Sequence, residues 1–256
     1  MFVITRVLFS LAILLLFTPN FLVFGQVVDV ERQRMNAKEN GLSGAVNLSG
    51  SYLDNDKVIY TYTVLSNLQY RTGKNLFFLI GDYKISRSSD TDFQDAAFLH
   101  FRYNRALSNH ITAEAFTQIQ DDKISLLKYR FLAGVGARLT VVDNESFKMN
   151  LGIIPMYEFE ELLDAASTTH QDFRISQYLN AVLNISEIAD FYSTTYFQPI
   201  FDQWEDYRLH NESRLEVTLT EKINLNVTNT YSWDANPPSG APKKRISLKV
   251  GFGLDF

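Results

Sequence analysis

The last residues of the chain alternate strictly between apolar side chains and polar or small ones. The apolar set occupies the even positions, namely Ile246, Leu248, Val250, Phe252, Leu254 and Phe256. The odd positions between them carry Ser247, Lys249, Gly251, Gly253 and Asp255. Because successive side chains of a β-strand point to opposite faces, a period of two predicts a strand with one apolar face.

Similar alternation recurs along most of the chain before this strand. Together with the last strand it predicts about twelve strands of roughly 9–15 residues, near the length of a tilted strand that crosses a membrane. The predicted strands before the last one span residues 41–52, 58–70, 75–85, 96–104, 110–120, 126–140, 147–160, 173–185, 191–201, 207–220 and 223–233.

The predicted connections between these strands differ in length in a regular way. Short ones lie at 71–74, 108–109, 142–146, 186–190 and 221–222, whereas long ones lie at 86–95, 161–171 and 234–244. If both chain ends are periplasmic, every long connection falls on the outer side, as in bacterial outer-membrane barrels. The sequence therefore predicts an all-β protein with one antiparallel transmembrane β-barrel of about 12 strands. Closure is expected because an open sheet edge in lipid leaves backbone groups unpaired.

Residues 1–25 have the features of a secretory signal peptide. Arg6 gives a positive start, residues 7–17 are apolar except for Ser10, and Val23 and Gly25 are small enough to precede cleavage before Gln26. The apolar run is too short for a membrane helix, which needs about 20 residues. We expect 26–40 to be a periplasmic lead-in and 41–256 to form the barrel. The absence of cysteine excludes disulfides and a lipoprotein anchor.

Alternation alone does not say whether the apolar face of the sheet points outward or into the barrel. A soluble barrel that carries a lipophile would have its apolar side chains inside, whereas a membrane barrel has them outside. The signal peptide, the terminal Phe256 and the many charges on the other face favour the membrane barrel, in the outer membrane of a Gram-negative bacterium. Twenty Phe and thirteen Tyr would supply two aromatic girdles. The net charge of −5 argues against a nucleic-acid partner.

The apolar carboxy-terminal positions, above all Phe256, are similar to the signal that the barrel-assembly machinery reads on outer-membrane proteins. The predicted assembly signal is Val250, Phe252, Leu254 and Phe256. Deleting Phe256 is therefore expected to lower the amount of protein that reaches the outer membrane, measured by membrane fractionation. Asp255→Asn, on the opposite face, is the matched control. Normal insertion of the deletion variant would contradict this prediction.

Seven short motifs occur in order along most of the chain. They are YRTGKN at 70–75, HFRYN at 100–104, EAFTQ at 114–118, RFLAGVGAR at 130–138, MYE at 156–158, QP at 198–199 and DYR at 206–208. Each motif is short, and their order carries the signal. The chain resembles the outer-membrane family catalogued as domain of unknown function 481, whose relatives are described as salt-induced outer-membrane proteins. The resemblance implies a barrel and an outer-membrane location, and it implies no reaction.

The alternation predicts which charged side chains face the lumen. They are His100, Arg102, Glu114, Lys128, Arg130, Arg138, Glu158, Glu160, Arg174, Arg208, Glu212, Arg214 and Glu216. The favoured interpretation is a network of paired charges that plugs the lumen of a structural envelope protein. The alternative is a narrow channel for small polar or anionic solutes. In that case Arg102, Arg130, Arg138, Arg174 and Arg208 would form a basic track. Expected partners are membrane lipids, the assembly machinery and, for a channel, the solute.

An enzyme is the least favoured interpretation. A membrane-embedded hydrolase would need a Ser beside His100 or His210, but no Gly-x-Ser-x-Gly motif occurs and Ser176 has no assigned His neighbour. Glu158 and Glu160 stand about 7 Å apart along a strand, a spacing known from glycosidases, although arginines on adjacent strands would explain them equally well. We predict no catalytic residue, no metal site and no cofactor. The acidic residues at 90–92 and 121–122 are interpreted as solvated loops.

Overall fold

The computed structural model describes residues 40–55, 57–88, 92–220 and 223–254. They form one sheet of twelve antiparallel strands, each paired with the next along the chain. This confirms the predicted all-β fold and strand number. The strands are β1 (Gly41–Asn55), β2 (Lys57–Thr72), β3 (Asn75–Ser88), β4 (Asp92–Ala106), β5 (Ile111–Asp122), β6 (Leu127–Asp143), β7 (Phe147–Leu162), β8 (Thr169–Ser186), β9 (Ala189–Ile200), β10 (Gln203–Thr220), β11 (Ile223–Asp234) and β12 (Lys244–Leu254).

The described strands define two rims. At the inner rim lie the first residue of β1, the last residue of β12 and short connections such as 73–74 and 107–110. At the outer rim lie the connections 123–126, 163–168 and 235–243. No helix in the described ranges is both long enough and apolar enough to span a membrane.

The sheet is open between its first and last strands. Pairing runs without interruption from β1 to β12, and within the described residues no ladder joins β12 back to β1. This differs from the closed barrel predicted above. The inward positions of β1, the free edge strand, carry short side chains such as Ala45, Asn47 and Ser49, and these are exposed.

The apolar side chains lie on the outside of the sheet. Leu48 is 75% exposed and Phe252 is 72% exposed, and outward residues of nearly every strand behave alike. The buried side chains are in contrast largely polar or charged, including Gln69, Lys84 and Arg130. A water-soluble domain buries its apolar residues and exposes its charges. The orientation found here is the reverse, so it opposes a soluble barrel with a lipophilic interior.

Outward aromatic rings cluster at both ends of the strands. Neighbouring rings lie 5.0 to 6.2 Å apart at the inner rim, in Tyr70–Phe77 and Phe77–Tyr103. Pairs 5.3 to 6.2 Å apart lie toward the outer rim, in Tyr52–Tyr60, Tyr129–Phe159, Tyr157–Phe173 and Phe197–Tyr207. The rings therefore form two bands, one toward each rim.

The outer loops are shorter than predicted because the strands extend beyond the segments with clear apolar alternation. In the loop predicted at 161–171, for example, Glu160 pairs with His170 and Glu161 with Thr169, so only 163–168 remain outside the strands. Of the predicted loop 86–95, residues 86–88 belong to β3 and residues 92–95 belong to β4. Of the acidic segment 90–92, residues 90 and 91 lie outside the described residues.

Part of the lumen is filled by apolar side chains rather than by charges. One buried cluster comprises Phe116, Leu132, Ile154, Met156, Tyr178 and Tyr196, from strands β5 to β9. Gly152 faces Tyr178 across the β7–β8 ladder, and a Cβ at Gly152 would overlap the tyrosine ring. Glycine is therefore the residue that allows this ring to lie against the barrel wall. The cluster therefore occupies the inner face of strands β5 to β9.

Candidate functional site

The centre of the charged lumen is Glu158 on β7, whose side chain is fully buried. Its Oε1 accepts hydrogen bonds from Arg130 Nε at 2.6 Å and from Arg208 Nη1 at 2.5 Å. Its Oε2 accepts a hydrogen bond from Arg174 Nε at 2.5 Å. Three guanidinium groups from β6, β8 and β10 thus converge on one carboxylate. Hydrogen bonds between ionised groups are roughly twice as strong as neutral ones.

Further carboxylates balance the charge of these arginines. Arg208 Nη2 lies 2.9 Å from Glu160 Oε1, and its Nε lies 3.2 Å from Asp234 Oδ2. Arg174 Nη2 lies 3.1 Å from Asp206 Oδ1, and its Nη1 donates to the carbonyl oxygen of Gln198 at 3.1 Å. We call Arg130, Glu158, Glu160, Arg174, Asp206, Arg208 and Asp234 the Glu158 cluster.

The strand register explains part of this arrangement. Glu158 and Glu160 share one face because they are two residues apart on β7. Arg130 is directly opposite Glu160 in the β6–β7 ladder, and Arg208 is directly opposite Asp234 in the β10–β11 ladder. Arg208 also reaches past β8 and β9 to Glu158, so the cluster joins strands that are not neighbours. A contact of this kind ties separate parts of the wall together through the lumen.

A second group of polar contacts lies around Glu114 on β5. Its Oε2 accepts a hydrogen bond from Tyr178 Oη at 2.8 Å and lies 3.5 Å from Arg102 Nη1. Its Oε1 lies 3.8 Å from Arg138 Nε. Tyr178 belongs to β8, so this contact also crosses the lumen. His100 nearby stacks on Phe116, with ring centroids 5.3 Å apart.

A third contact joins the last strand to β5 near the outer rim. Arg245 Nη1 lies 3.5 Å from Asp122 Oδ2, and its Nη2 donates to Ser125 Oγ at 2.7 Å. Ser125 Oγ in turn donates to Asp122. Asp122 is buried, so the interpretation of the pair at 121–122 as a solvated loop is wrong for this residue. Its side chain continues the inward row of β5 by two positions beyond Gln120.

Most of the charged residues that were predicted to face the lumen do face it. His100, Arg102, Glu114, Arg130, Glu158, Glu160, Arg174 and Arg208 are buried, whereas Arg138, Glu212, Arg214 and Glu216 are half-buried. Arg214 forms an ion pair with Glu216, two residues along β10.

The inward placement of Lys128 is wrong. Its side chain is 52% exposed, and its Nζ lies 2.6 Å from Glu161 Oε1. The β6–β7 pairing shifts here, since Leu127 pairs with Leu162 and Tyr129 pairs with Glu161. Lys128 is therefore the extra residue of a β-bulge, which reverses the alternation at this end of β6. As a result Leu127 is buried instead of outward-facing.

The residues of the predicted assembly signal are described only in part. Val250 and Phe252 lie on the outer face and are exposed, as their position in the alternation predicts. Leu254 is the last residue of β12, but its side chain and the whole of Phe256 lie outside the described residues.

The arginines proposed as a basic track are all close to carboxylates. Five arginines (Arg102, Arg130, Arg138, Arg174 and Arg208) lie within 4 Å of five carboxylates (Glu114, Glu158, Glu160, Asp206 and Asp234). The two sets balance in formal charge. Each of the five arginines thus has a carboxylate within 4 Å, which weakens the case for a basic track.

A Ser–His pair does occur in the lumen. His210 Nδ1 and Ser232 Oγ are 2.8 Å apart on neighbouring strands, and both side chains are buried. The other ring nitrogen, Nε2, has no hydrogen-bond partner among the described residues. A hydrolase needs a third group that orients the histidine. Ser176 instead accepts a hydrogen bond from Gln198 Nε2 at 2.9 Å.

The two glutamates with glycosidase-like spacing are both held by arginines. Glu158 and Glu160 share the guanidinium groups of Arg130 and Arg208, as expected if arginines on nearby strands account for their spacing. Among the described residues there is also no group of three His, Cys, Asp or Glu side chains placed to hold a metal ion.

Comparison with known proteins gives a family and a fold. The family model described as "Protein of unknown function, DUF481" matches residues 54–256. A search of curated proteins found no significant match.

Two solved structures share the fold at low sequence identity. The NanC porin has a TM-score of 0.50 and 11% identity, over 83% of this chain and 100% of its own. The translocator domain of the autotransporter NalP from Neisseria meningitidis has a TM-score of 0.51 and 11% identity, over 86% of this chain and 90% of its own. Both are outer-membrane β-barrel proteins, and at this identity the likeness concerns the fold alone.

Proposed function

The chain belongs to the family of proteins of unknown function DUF481, and we propose a role for it that the family description does not supply. We propose that it is a structural protein of the bacterial outer membrane whose lumen is closed by the Glu158 cluster. The observation that carries this proposal is the convergence of Arg130, Arg174 and Arg208 on one buried carboxylate. The cluster fills the lumen near the outer rim with side chains that hold one another in place.

The outer surface supports placement in a membrane. Tyr60 and Tyr70 mark the two aromatic bands on β2, and both are exposed and outward. Ten residues separate them, which is about 33 Å along a strand at ~3.3 Å per residue. A strand inclined by about 40°, as in known barrels, would cover about 25 Å of membrane, the usual height of the apolar band. The predicted signal peptide supports export, and the shared fold with two outer-membrane proteins supports the destination.

The contacts inside the lumen support a lumen that is blocked by side chains. Tyr178–Glu114 and Arg245–Asp122 join strands on different sides of the lumen, in addition to the Glu158 cluster. The apolar cluster around Ile154 and Met156 fills the space beside them. Packed interiors contain few voids larger than a water molecule. An ion path through this part of the lumen would require these side chains to separate.

A narrow channel remains the second candidate, and one observation favours it. The inward faces of β1, β2 and β11 carry several short neutral side chains, namely Ser43, Asn47, Ser49, Thr63, Asn226, Thr228 and Thr230. This neutral wall lies away from the Glu158 cluster and suits an uncharged polar solute better than an anion. A channel along it should conduct, and Asn47→Trp should lower that conductance. A barrel with a blocked lumen should show no conductance with either residue at position 47.

We also propose that the protein is not an enzyme. Ser232 and His210 form a pair, but no carboxylate among the described residues orients the histidine through its second nitrogen. The serine is moreover directed into the lumen, whereas the acyl chains of membrane lipids contact the opposite face of the sheet. Hydrolysis of short acyl esters by the purified barrel, abolished by Ser232→Ala, would overturn this part of the proposal.

A further inference from the structure

An apolar groove of about 560 Å³ crosses the outward face of strands β4 to β8. Its floor is made by small residues of two adjacent strands, Ala115 and Thr117 on β5 and Ala133 on β6. Large aromatic side chains flank the floor, with Phe101 and Tyr103 on β4 and Tyr157 and Phe173 on β7 and β8. Sites for small ligands are commonly about 300–1,000 Å³ in volume.

The strand register shows how the groove is built. One row of directly paired outward residues runs across five strands, namely Phe101, Thr117, Ala133, Tyr157 and Phe173. Its sequence of sizes is large, small, small, large, large. In the next row toward the inner rim, Tyr103 pairs with Ala115. The groove thus extends over two rows of residues, and its shape follows from the sizes of the side chains in these rows.

The backbone beneath the groove is also irregular. Pro155 on β7 has no N–H to donate, and the pairing of β6 with β7 passes from Gly134–Met156 directly to Ala137–Ile153. A Cβ at Gly136 would overlap the carbonyl oxygen of Ile153. The absence of a side chain at Gly136 lets β6 approach β7 closely at this point. A proline within a central strand is uncommon. The unusual backbone at Pro155 therefore distinguishes this part of the wall in addition to the groove.

The groove is closed toward the outer rim and continues toward the inner rim. The row above it contains the larger side chains Ile119 and Phe131, which are paired with each other. The row below contains Ala113 and Ala137, which are also paired and are small. Ala113 in turn pairs with Arg105, near the inner end of β4. An extended apolar chain lying in the groove would therefore lead toward Arg105.

Arg105 is exposed on the outward face, and it has no ion-pair partner in the described part of the chain. Lys74 is close by in the neighbouring turn, where its carbonyl oxygen accepts a hydrogen bond from the amide of Ala106. At the outer rim the lysines of this face are paired, Lys123 with Asp95 at 3.6 Å and Lys128 with Glu161 at 2.6 Å. Arginine can lay its apolar stem along the surface and extend its guanidinium to a phosphate.

We propose that the groove binds one acyl chain of a glycerophospholipid from the periplasmic leaflet, with the lipid phosphate on Arg105. The inference rests on the proposed location in the outer membrane. The aromatic walls and small floor select a single extended chain, and Arg105 supplies a cation at the end of the groove that continues toward the inner rim. The closed outer end and the paired outer lysines disfavour a lipid held from the other leaflet.

The test is native mass spectrometry of the full barrel, released from micelles that contain palmitoyl-oleoyl-phosphatidylethanolamine or, in a second arm, lipid A. The parent is expected to retain one phosphatidylethanolamine. Filling the floor with Ala115→Leu and Ala133→Leu, or removing the cation with Arg105→Gln, should each weaken retention about tenfold or more, since a charge-assisted hydrogen bond is comparable in strength to a tenfold change in affinity. Ala181→Leu, outward on β8, and Lys128→Gln, at the other rim, are the controls and should match the parent.

Equal retention by the parent and by both groove variants would overturn the proposal. Preferential retention of lipid A, or a dimer that buries the groove without lipid, would overturn it as well. The proposed function is judged separately, by whether the same samples insert into bilayers and show heat-modifiable mobility. If they insert and retain no lipid, only this inference fails. If they do not insert at all, the proposed function fails and takes this inference with it.

Discussion

Glu158→Gln is expected to lower the free energy of unfolding by about 3–5 kcal/mol, the usual cost of removing one partner from a buried ion pair. Glutamine keeps the size of the side chain but removes the charge on which three guanidinium groups converge. The remaining carboxylates of the cluster, Glu160, Asp206 and Asp234, cannot replace it because none of them contacts all three arginines. The measurement is urea unfolding of the refolded barrel in lipid vesicles.

Glu161→Gln is the matched control for this experiment. Glu161 is three positions from Glu158 on the same strand, and it pairs with the exposed Lys128. Exposed ion pairs contribute only about 0–1 kcal/mol, so the control should unfold at nearly the same urea concentration as the parent. A Glu158→Gln barrel that is as stable as the control would show that the cluster does not hold the wall together.

Val250→Arg is expected to destabilise the inserted barrel by about 2–4 kcal/mol if residue 250 lies near the middle of the membrane. Val250 is outward on β12 and 43% exposed. An arginine there would have to place its charge in the acyl chains. The change should be measured as a shift of the unfolding curve in vesicles, with Val250→Leu as the apolar reference.

Gly251→Arg provides a test of orientation within the same strand. Gly251 is the next residue and faces inward, and a Cβ there would have no atom within 4 Å. The same charge should therefore cost much less on this face than at Val250. Equal costs at the two positions would mean that the outward face of β12 does not meet lipid. The assignment of the apolar face of the strands to the lipid would then be wrong.

The strands and their faces could be predicted because period-two alternation depends only on local backbone geometry. The segment from Ile246 to Leu254 shows this most clearly, since each apolar residue of the predicted strand that is described lies outward. Prediction failed where the backbone departs from that geometry. At Lys128 a single bulged residue reverses the alternation, and nothing in the local composition marks it.

The partners within the lumen could not be predicted from the sequence. Alternation says that Arg208 and Glu158 face inward, but not that they lie at the same height and within 2.5 Å of each other. Fifty residues separate them, and their contact depends on the register of every strand between them. Asp122, Asp206 and Asp234 were missed because they lie near strand ends, in segments that were predicted to be connections. Arg245 was missed because it directly precedes the first residue of the alternation that was analysed.

The apolar filling of the lumen was also beyond the reach of sequence patterns. Tyr178 occupies an inward position that alternation assigns to polar residues, and it fits because Gly152 faces it across the ladder. A glycine in a strand indicates a close approach of some other group. Which group approaches is decided by the register of the neighbouring strand, and only the structure supplies that.

Single-channel recording of the refolded parent protein in a planar bilayer tests the closed lumen most directly. Insertion is verified first by heat-modifiable mobility, so that silence reports a closed barrel and not a missing one. We expect no steady conductance from the parent if the Glu158 cluster and the apolar cluster close the lumen as proposed. Steady ohmic conductance from the parent, with an ion preference that shifts in Arg102→Gln or Arg130→Gln, would contradict the closed lumen and establish a channel.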